Sequence, residues 1–298
     1  MLVDAASAYF RSFHGVPTSV VSPDGLPVNA VRGFLDTLAR LVELRRPARL
    51  VACLDADWRP AFRTALVPSY KAHRVAADGG EAVPPELSAQ VPVLLDVLAA
   101  VGVPLMGAPG FEADDVIGTL AARDPGPVDV VTGDRDLFQL VDDGRGVVVL
   151  YTGRGLRNLA VVNDAWLVDA YGVTAAQYAD FATLRGDPSD GLPGVRGVGA
   201  RTAADLVARW GDLDALLAAL DDPGASVARR PALEAARAEL AAARAVVAVR
   251  TDVPVDPGFD DRLPATALAP ERLAELAARW GVERSVDRLL AVLAGGPA

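Results

Sequence analysis

The sequence predicts an α/β fold, with a mostly parallel central sheet flanked by helices and a helical second half. Three observations carry this prediction. Short apolar runs at Leu2-Val3, Arg49 to Leu54, Val103 to Met106, Val128 to Gly133 and Val147 to Tyr151 read as buried strands. Helical periodicity separates them, as in Val31, Phe34, Leu35, Leu38, Leu41 and Val42, and again across Val91 to Val101. Alternation of this kind builds a parallel, doubly wound sheet with helices on its faces. From Trp166 onward the strand signals stop, and Ala/Leu/Arg helices take over, including 231–249 and 270–293. The Pro-rich stretch Asp252 to Pro270 connects the last of them. We place the domains at 1–165, an α/β core, and 166–298, a helical region.

Composition narrows the class. The chain has 298 residues, 51% of them hydrophobic and 23% charged, as expected of a globule with a sizeable core. No apolar run approaches the ~18 residues of a membrane span. The N-terminus, Met1-Leu2-Val3-Asp4-Ala5, lacks the basic region of a signal peptide, so a cytoplasmic, membrane-free protein is expected. The single cysteine, Cys53, lies in an apolar run and excludes both an internal disulfide and a Cys-rich zinc site.

Acids gather where strands end. Asp4 follows the first strand and Asp55 the second, and ligands of open α/β sheets collect at those carboxyl ends. Asp134 and Asp136 flank an arginine after the Val128 to Gly133 run. Glu112, Asp114 and Asp115 crowd the start of a helix whose apolar face is Ala113, Val116, Ile117, Leu120 and Ala121. Taken alone, that stretch also reads as an amphipathic surface helix with acids at its positive end. Asp187 and Asp190 add a pair at i, i+3. With no Cys/His cluster nearby, the donor set is all oxygen, which suits Mg²⁺ or Mn²⁺ and not zinc. So many carboxylates exceed the needs of one ion and point to two, the arrangement that supports in-line phosphoryl displacement.

The net charge of −10 is unusual for a nucleic-acid binder, but the acids just named account for nearly all of it. Cations concentrate in two places. Arg59, Arg63, Lys71, His73 and Arg74 precede the breakers Gly79-Gly80 and Pro84-Pro85, which marks a functional loop over about 68–90. Arg196, Arg201 and Arg209 surround Gly197-Val198-Gly199, a glycine turn between helices over about 192–210 that lets backbone N–H groups approach a phosphate.

These motifs, in order, resemble the flap endonuclease family, specifically the bacterial 5′-nuclease represented by the N-terminal domain of DNA polymerase I. The resemblance runs over about residues 1–220, through LVDAASAYFRSFHGVP, ACLDADWRPAFRTALVPSYKAHR, GFEADDVIGTLA, VVTGDRDLFQLV, YGVTAAQYADFATLRGDPSDGLPG and VRGVGARTAADLV. It implies a PIN-like core with a helical arch, a helix-hairpin-helix that grips duplex DNA, and 5′→3′ exonuclease and flap endonuclease activity in DNA replication and repair. By position it implies that Asp55, Glu112, Asp114, Asp115 and Asp134 surround one metal, with Asp4 beside it. Asp134, Asp136, Asp187 and Asp190 would hold the second. Lys71 matches the lysine that meets the scissile phosphate, Arg74 and Arg11 match further basic positions, and Tyr70 matches the aromatic beside that lysine. Arg196, Gly197, Val198, Gly199, Arg201 and Thr202 match the duplex-binding turn, which in relatives also holds a K⁺ through backbone carbonyls. The implied substrates are DNA with 5′ flaps, nicks or free 5′ ends and RNA-primed duplex, handled by a stand-alone monomer.

The chain also departs from the family pattern. Val75 to Val83 replaces the usual Pro-rich continuation, Gly191 stands where relatives often carry Asn, and Arg201 where they often carry Lys. Two other classes compete with this reading. A non-catalytic DNA-junction binder on the same fold would have lost metal acids, and none is lost. A PIN-type ribonuclease lacks the glycine hairpin and the basic arch.

Overall fold

The computed structural model describes residues 1–256 and 258–295. β1 (Leu2–Asp4) passes directly into α1 (Ala5–Gly15), because the Asp4 carboxylate caps that helix by accepting the Ser7 N–H. Next come α2 (Asn29–Arg45), β2 (Val51–Cys53), α3 (Ala61–Leu66), α4 (Pro85–Ser88) and α5 (Gln90–Val101). β3 (Leu105–Met106) leads to α6 (Ala113–Arg123), whose start carries a capping box formed by Glu112 and Asp115. β4 (Val128–Thr132), β5 (Val147–Tyr151) and β6 (Ala160–Val162) complete a six-stranded sheet in the order β3-β2-β1-β4-β5-β6.

All pairings are parallel except β5 with β6, which is antiparallel. β6, a short edge strand, and α1 are elements that the apolar runs and periodicity of the sequence do not mark. The rest of the described chain is helical: α7 (Asp164–Tyr171), α8 (Ala175–Arg185), α9 (Ala200–Trp210), α10 (Leu213–Leu220), α11 (Arg230–Val247), α12 (Pro270–Trp280) and α13 (Glu283–Ala294).

Alternation along the strands supplies both faces of the sheet with apolar side chains. Leu2, Val51, Val130 and Val149 pack with Ile117 of α6, Phe181 of α8, Leu206 of α9 and Leu233 of α11. Val3, Ala52, Val131 and Leu150 pack with Phe34 of α2, Leu94 of α5, Leu276 of α12 and Leu289 of α13. The helical second half is therefore divided, with α8 to α11 on one face and α12 and α13 on the other. No described helix is long and apolar enough to cross a membrane.

The segment 68–90 has a different form from the arch that the resemblance implies. Its only helical pieces are a 3₁₀ turn at Ala72–Arg74 and the single turn of α4. Between them lies a small hairpin: Val75 bridges Glu81, Ala76 N–H donates to Gly80 O (2.8 Å) and Ala82 N–H to Arg74 O (2.7 Å). Gly79-Gly80 and Pro84-Pro85 interrupt any continuous helix here.

Candidate active site

The sheet order reverses beside β1. The chain runs β1, β2, β3 toward one edge and then returns to place β4 on the other flank of β1. Such a reversal opens a crevice at the carboxyl ends of the strands. Asp4 ends β1, Asp55 lies just beyond β2, Asp134 just beyond β4, and Glu112 and Asp114 open the helix after β3. A net of short bonds fixes their backbones. Thr132 Oγ1 donates to Asp4 Oδ2 at 2.7 Å and accepts the Asp134 N–H at 2.9 Å. Gly133 N–H donates to Ser7 Oγ at 2.9 Å, and Ala113 N–H to Asp55 Oδ1 at 2.7 Å.

Asp4, Asp55, Glu112, Asp114 and Asp134 line one open cleft of about 250 Å³, and Arg11, Lys71 and Arg74 share its walls. The carboxylates crowd one another there. Burial and then the Asp55 charge push Asp4 up to about 7. Burial, with Asp134 and Asp4, holds Asp114 well above the usual carboxylate range, and burial also raises Asp55. Arg11 reaches the cleft by lying across Gly133, donating to Gly133 O (3.2 Å) and Gly153 O (3.1 Å). A Cβ on residue 133 would sit 1.8 Å from Arg11 Nε, so only glycine leaves that path open.

A second acidic group adjoins the first. Asp136 N–H donates to Asp134 Oδ1 at 2.9 Å. Burial raises Asp136 well above its ordinary value, followed by the charges of Asp134, Asp190 and Asp187. Asp187 accepts from Ser189 N–H at 2.8 Å and stands 3.6 Å from Arg185. The turn carrying Asp187 and Asp190 also docks the basic segment. Lys71 N–H donates to Asp190 O (2.9 Å), Ser69 Oγ to Gly191 O (2.9 Å), and Arg74 Nη2 to Asp190 Oδ1 and Ser189 O (both 2.7 Å). Gly191 has φ +73°, and a Cβ there would lie 2.3 Å from Ser69 O. That contact accounts for glycine at this position.

Asp115 requires a correction to the expected metal set. It is fully buried, and its oxygens accept two bonds from Arg63 (both 2.7 Å), one from Arg250 N–H (3.0 Å) and one from Glu112 N–H (3.3 Å). Every lone pair in reach is used inside the protein, because this face of α6 turns toward the core. Glu112 is partly drawn in as well, bonded to Arg63 at 2.5 Å, to Tyr70 Oη at 2.9 Å and to Lys71 Nζ. Burial pushes Glu112 up to about 7 against the pull of Lys71 and Arg63. Burial alone would lower Lys71, and the Glu112, Tyr70 and Asp190 charges more than reverse it, so Lys71 stays firmly protonated.

Arg63 is the residue the sequence placed wrongly. Its sequence position groups it with the loop cations, yet it is 2% exposed and joins Glu112, Asp115 and Val246 O. Tyr70, expected as a DNA contact, is buried and supports Glu112 through its hydroxyl. The only local signal was the i, i+3 spacing of Glu112 and Asp115 opposite an arginine-bearing helix.

The donor set fits hard divalent cations by chemistry: carboxylates alone, mutually repelling and in part desolvated. Among the described residues, no three of them converge closely enough to enclose an ion. The fit rests on donor type and crowding and not on a preformed cage.

The glycine turn joins α8 to α9, which pack together. Val195 N–H bonds Leu184 O and Val198 N–H bonds Val195 O, both at 2.9 Å. Val198 is buried, so among the expected contacts it offers backbone only, whereas Arg196, Gly197, Gly199 and Arg201 are exposed and Thr202 is half-buried.

Comparison with known proteins accords with this geometry. A family model described as 5′-3′ exonuclease, N-terminal resolvase-like domain matches residues 1–172. A second, described as 5′-3′ exonuclease, C-terminal SAM fold, matches residues 173–271. A 5′-3′ exonuclease of Streptomyces coelicolor is 55% identical over 300 residues, covering 98% of this chain and 99% of the relative. DNA polymerase I of Mycobacterium bovis is 42% identical over 225 residues, or 74% of this chain and 24% of the polymerase. Among solved structures, a bacteriophage T5 flap endonuclease in a pseudo-enzyme-product complex with DNA and metal ions matches with a TM-score of 0.62 at 16% identity, covering 99% of this chain and 98% of the other. At that identity the likeness is one of fold.

Proposed function

The chain belongs to the 5′-3′ exonuclease family, and from that premise we propose that it is a structure-specific DNA 5′ nuclease with exonuclease and flap endonuclease activity. Its substrates are DNA with 5′ flaps, nicks or free 5′ ends, and its setting is replication and repair. One observation carries the reading. Carboxylates from the ends of β1, β2 and β4 and from the start of α6 line one cleft with Lys71, Arg74 and Arg11. A phosphodiester meets cations and metal donors together in such a cleft.

Asp4, Asp55, Glu112, Asp114 and Asp134 are the residues that would hold one divalent ion, with Asp134, Asp136, Asp187 and Asp190 serving a second. Mg²⁺ or Mn²⁺, when bound, supplies a hydroxide nucleophile at neutral pH and neutralises charge on the phosphate. The protein's own groups do the rest. Lys71 and Arg74 are anchored through the Asp187–Gly191 turn, so their charges stay fixed while negative charge develops on the phosphate. Arg11, held by Gly133 O and Gly153 O, adds a third cation to the cleft. Asp115 and Arg63 position Glu112 and do not meet the substrate. The exposed arginines of the glycine turn grip the duplex downstream through its phosphates, so affinity falls steeply with salt.

Cleavage-site mapping on single-flap, double-flap, nicked and RNA-primed duplexes tests this reading. Incision at or next to the junction of a 5′ flap, dependent on divalent metal, is expected. Cleavage of RNA alone with intact DNA would instead support a PIN-type ribonuclease.

A further inference from the structure

Trp58 stands outside both apolar cores of the described residues. Trp166 and Trp210 pack against the core on one face of the sheet and Trp280 against that on the other, but Trp58 joins neither. It is half-buried and lines the carboxylate cleft with Phe10, beside Lys71 and Asp55. No aromatic ring of the protein stacks on it among the described residues.

Its loop is nevertheless held firmly. Asp57 N–H donates to Phe111 O (3.1 Å), and Arg59 N–H to Asp57 Oδ1 (3.1 Å). The Arg59 guanidinium binds Tyr70 O (2.6 Å) and Pro68 O (2.8 Å), while Lys71 Nζ lies 3.4 Å from the Trp58 carbonyl. An indole on a well-anchored loop is thus part of the lining of an acidic cleft, together with the lysine expected to meet the scissile phosphate. A carboxylate cleft gains nothing from an indole as a metal donor. An unpaired nucleobase gains a stacking surface, and stacking is tolerant of sequence because every base has a π-face.

We propose that Trp58 stacks on the unpaired nucleobase next to the scissile phosphate. It thereby acts as a positioning residue that favours single-stranded or frayed 5′ ends over fully paired ones. The inference rests on the nuclease reading above and adds a substrate contact to the same site.

The test compares wild type, Trp58→Phe and Trp58→Leu on a 5′-flap duplex and on the same duplex with an abasic analogue beside the mapped cleavage position. On the normal flap, Trp58→Leu lowers kcat/KM by about 10-fold or more, the size of one lost stacking contact, and Trp58→Phe restores most of it. On the abasic flap, wild type falls to the level of Trp58→Leu and the substitution no longer matters. An undiminished Trp58→Leu, or an equal deficit on both substrates, overturns the proposal; the latter would assign Trp58 a purely structural effect through the Lys71 loop.

Two further readouts are independent of cleavage and of how well Trp58→Leu folds. Fluorescence anisotropy without divalent ions is expected to show weaker wild-type binding to the abasic flap. Tryptophan emission is expected to be quenched by the normal flap in wild type and less so in Trp58→Phe. Equal affinity for both flaps, or equal quenching, overturns the stacking. Absent cleavage with base-dependent binding would overturn the nuclease reading and leave the stacking standing.

Discussion

Arg63 offers the sharpest test of how the site is held. The residue is 2% exposed, and its guanidinium carries two bonds to Asp115 at 2.7 Å, one to Glu112 at 2.5 Å and one to Val246 O at 3.0 Å. Arg63→Met keeps a similar apolar stem but leaves Asp115 buried without a cation, while Glu112 keeps Lys71 alone. Breaking a buried pair in this way costs about 3–5 kcal/mol, because the remaining charge has lost both water and partner. At roughly 2 °C per kcal/mol for a chain of this size, the melting temperature falls by roughly 6–10 °C.

The deficit also depends on pH, and its sign is fixed. A carboxylate left uncompensated in the core binds protons more readily folded than unfolded, so its penalty is absent near pH 4 and grows as pH rises. Thermal melts of wild type and Arg63→Met from pH 4 to 8 check this. A difference of under about 1 kcal/mol at pH 8, the range of an exposed ion pair, would refute the buried-network account.

Two further outcomes follow from the same geometry. Gly191→Ala puts a Cβ 2.3 Å from Ser69 O on a backbone at φ +73°, so it should cost about 1–3 kcal/mol and slow single-turnover cleavage by shifting Lys71 and Arg74; wild-type melting and rate together would contradict this. In EDTA, stability should decline as pH rises from about 4 to 7, because Asp4 and Glu112, both pushed up to about 7, bind protons more tightly folded than unfolded. Arg-paired surface acids such as Asp260, drawn down to about 2, act below that window. Mg²⁺ should flatten the decline, and a melting temperature that climbs with pH in EDTA would count against the crowded-carboxylate description.

Much of the fold was legible because buried strands in a parallel sheet are continuous apolar runs, and three of those runs lead straight into an acid, Asp4, Asp55 or Asp134, that marks the carboxyl end. Leu2-Val3 with Asp4, and Val128 to Gly133 with Asp134, show the pattern most clearly. What escaped depended on three-dimensional context. Asp4 reads in sequence as an acid at a strand end, whereas its role as the cap of α1 shows only in three dimensions. β6 is three residues on a sheet edge, too short for alternation to show. That α12 and α13 return to the α2 and α5 face is a matter of tertiary packing that helical periodicity does not encode. In the cleft, residue types suggest a chemistry, but the partners of each side chain are not legible in sequence. Asp115 and Arg63 look like a ligand and a loop cation in sequence, and they form an internal pair because the first turn of α6 faces α3 and the end of α11.

The central claim is that these carboxylates serve divalent-metal phosphodiester cleavage, and Asp134→Asn tests it most directly. Asn keeps an oxygen to accept the Asp136 N–H, so the local fold is expected to persist. Cleavage of a 5′-flap DNA in Mg²⁺ or Mn²⁺ should fall by more than about 100-fold, beyond the effect of losing a mere supporting residue, while DNA affinity stays largely unchanged. Cleavage at the wild-type rate would contradict the account.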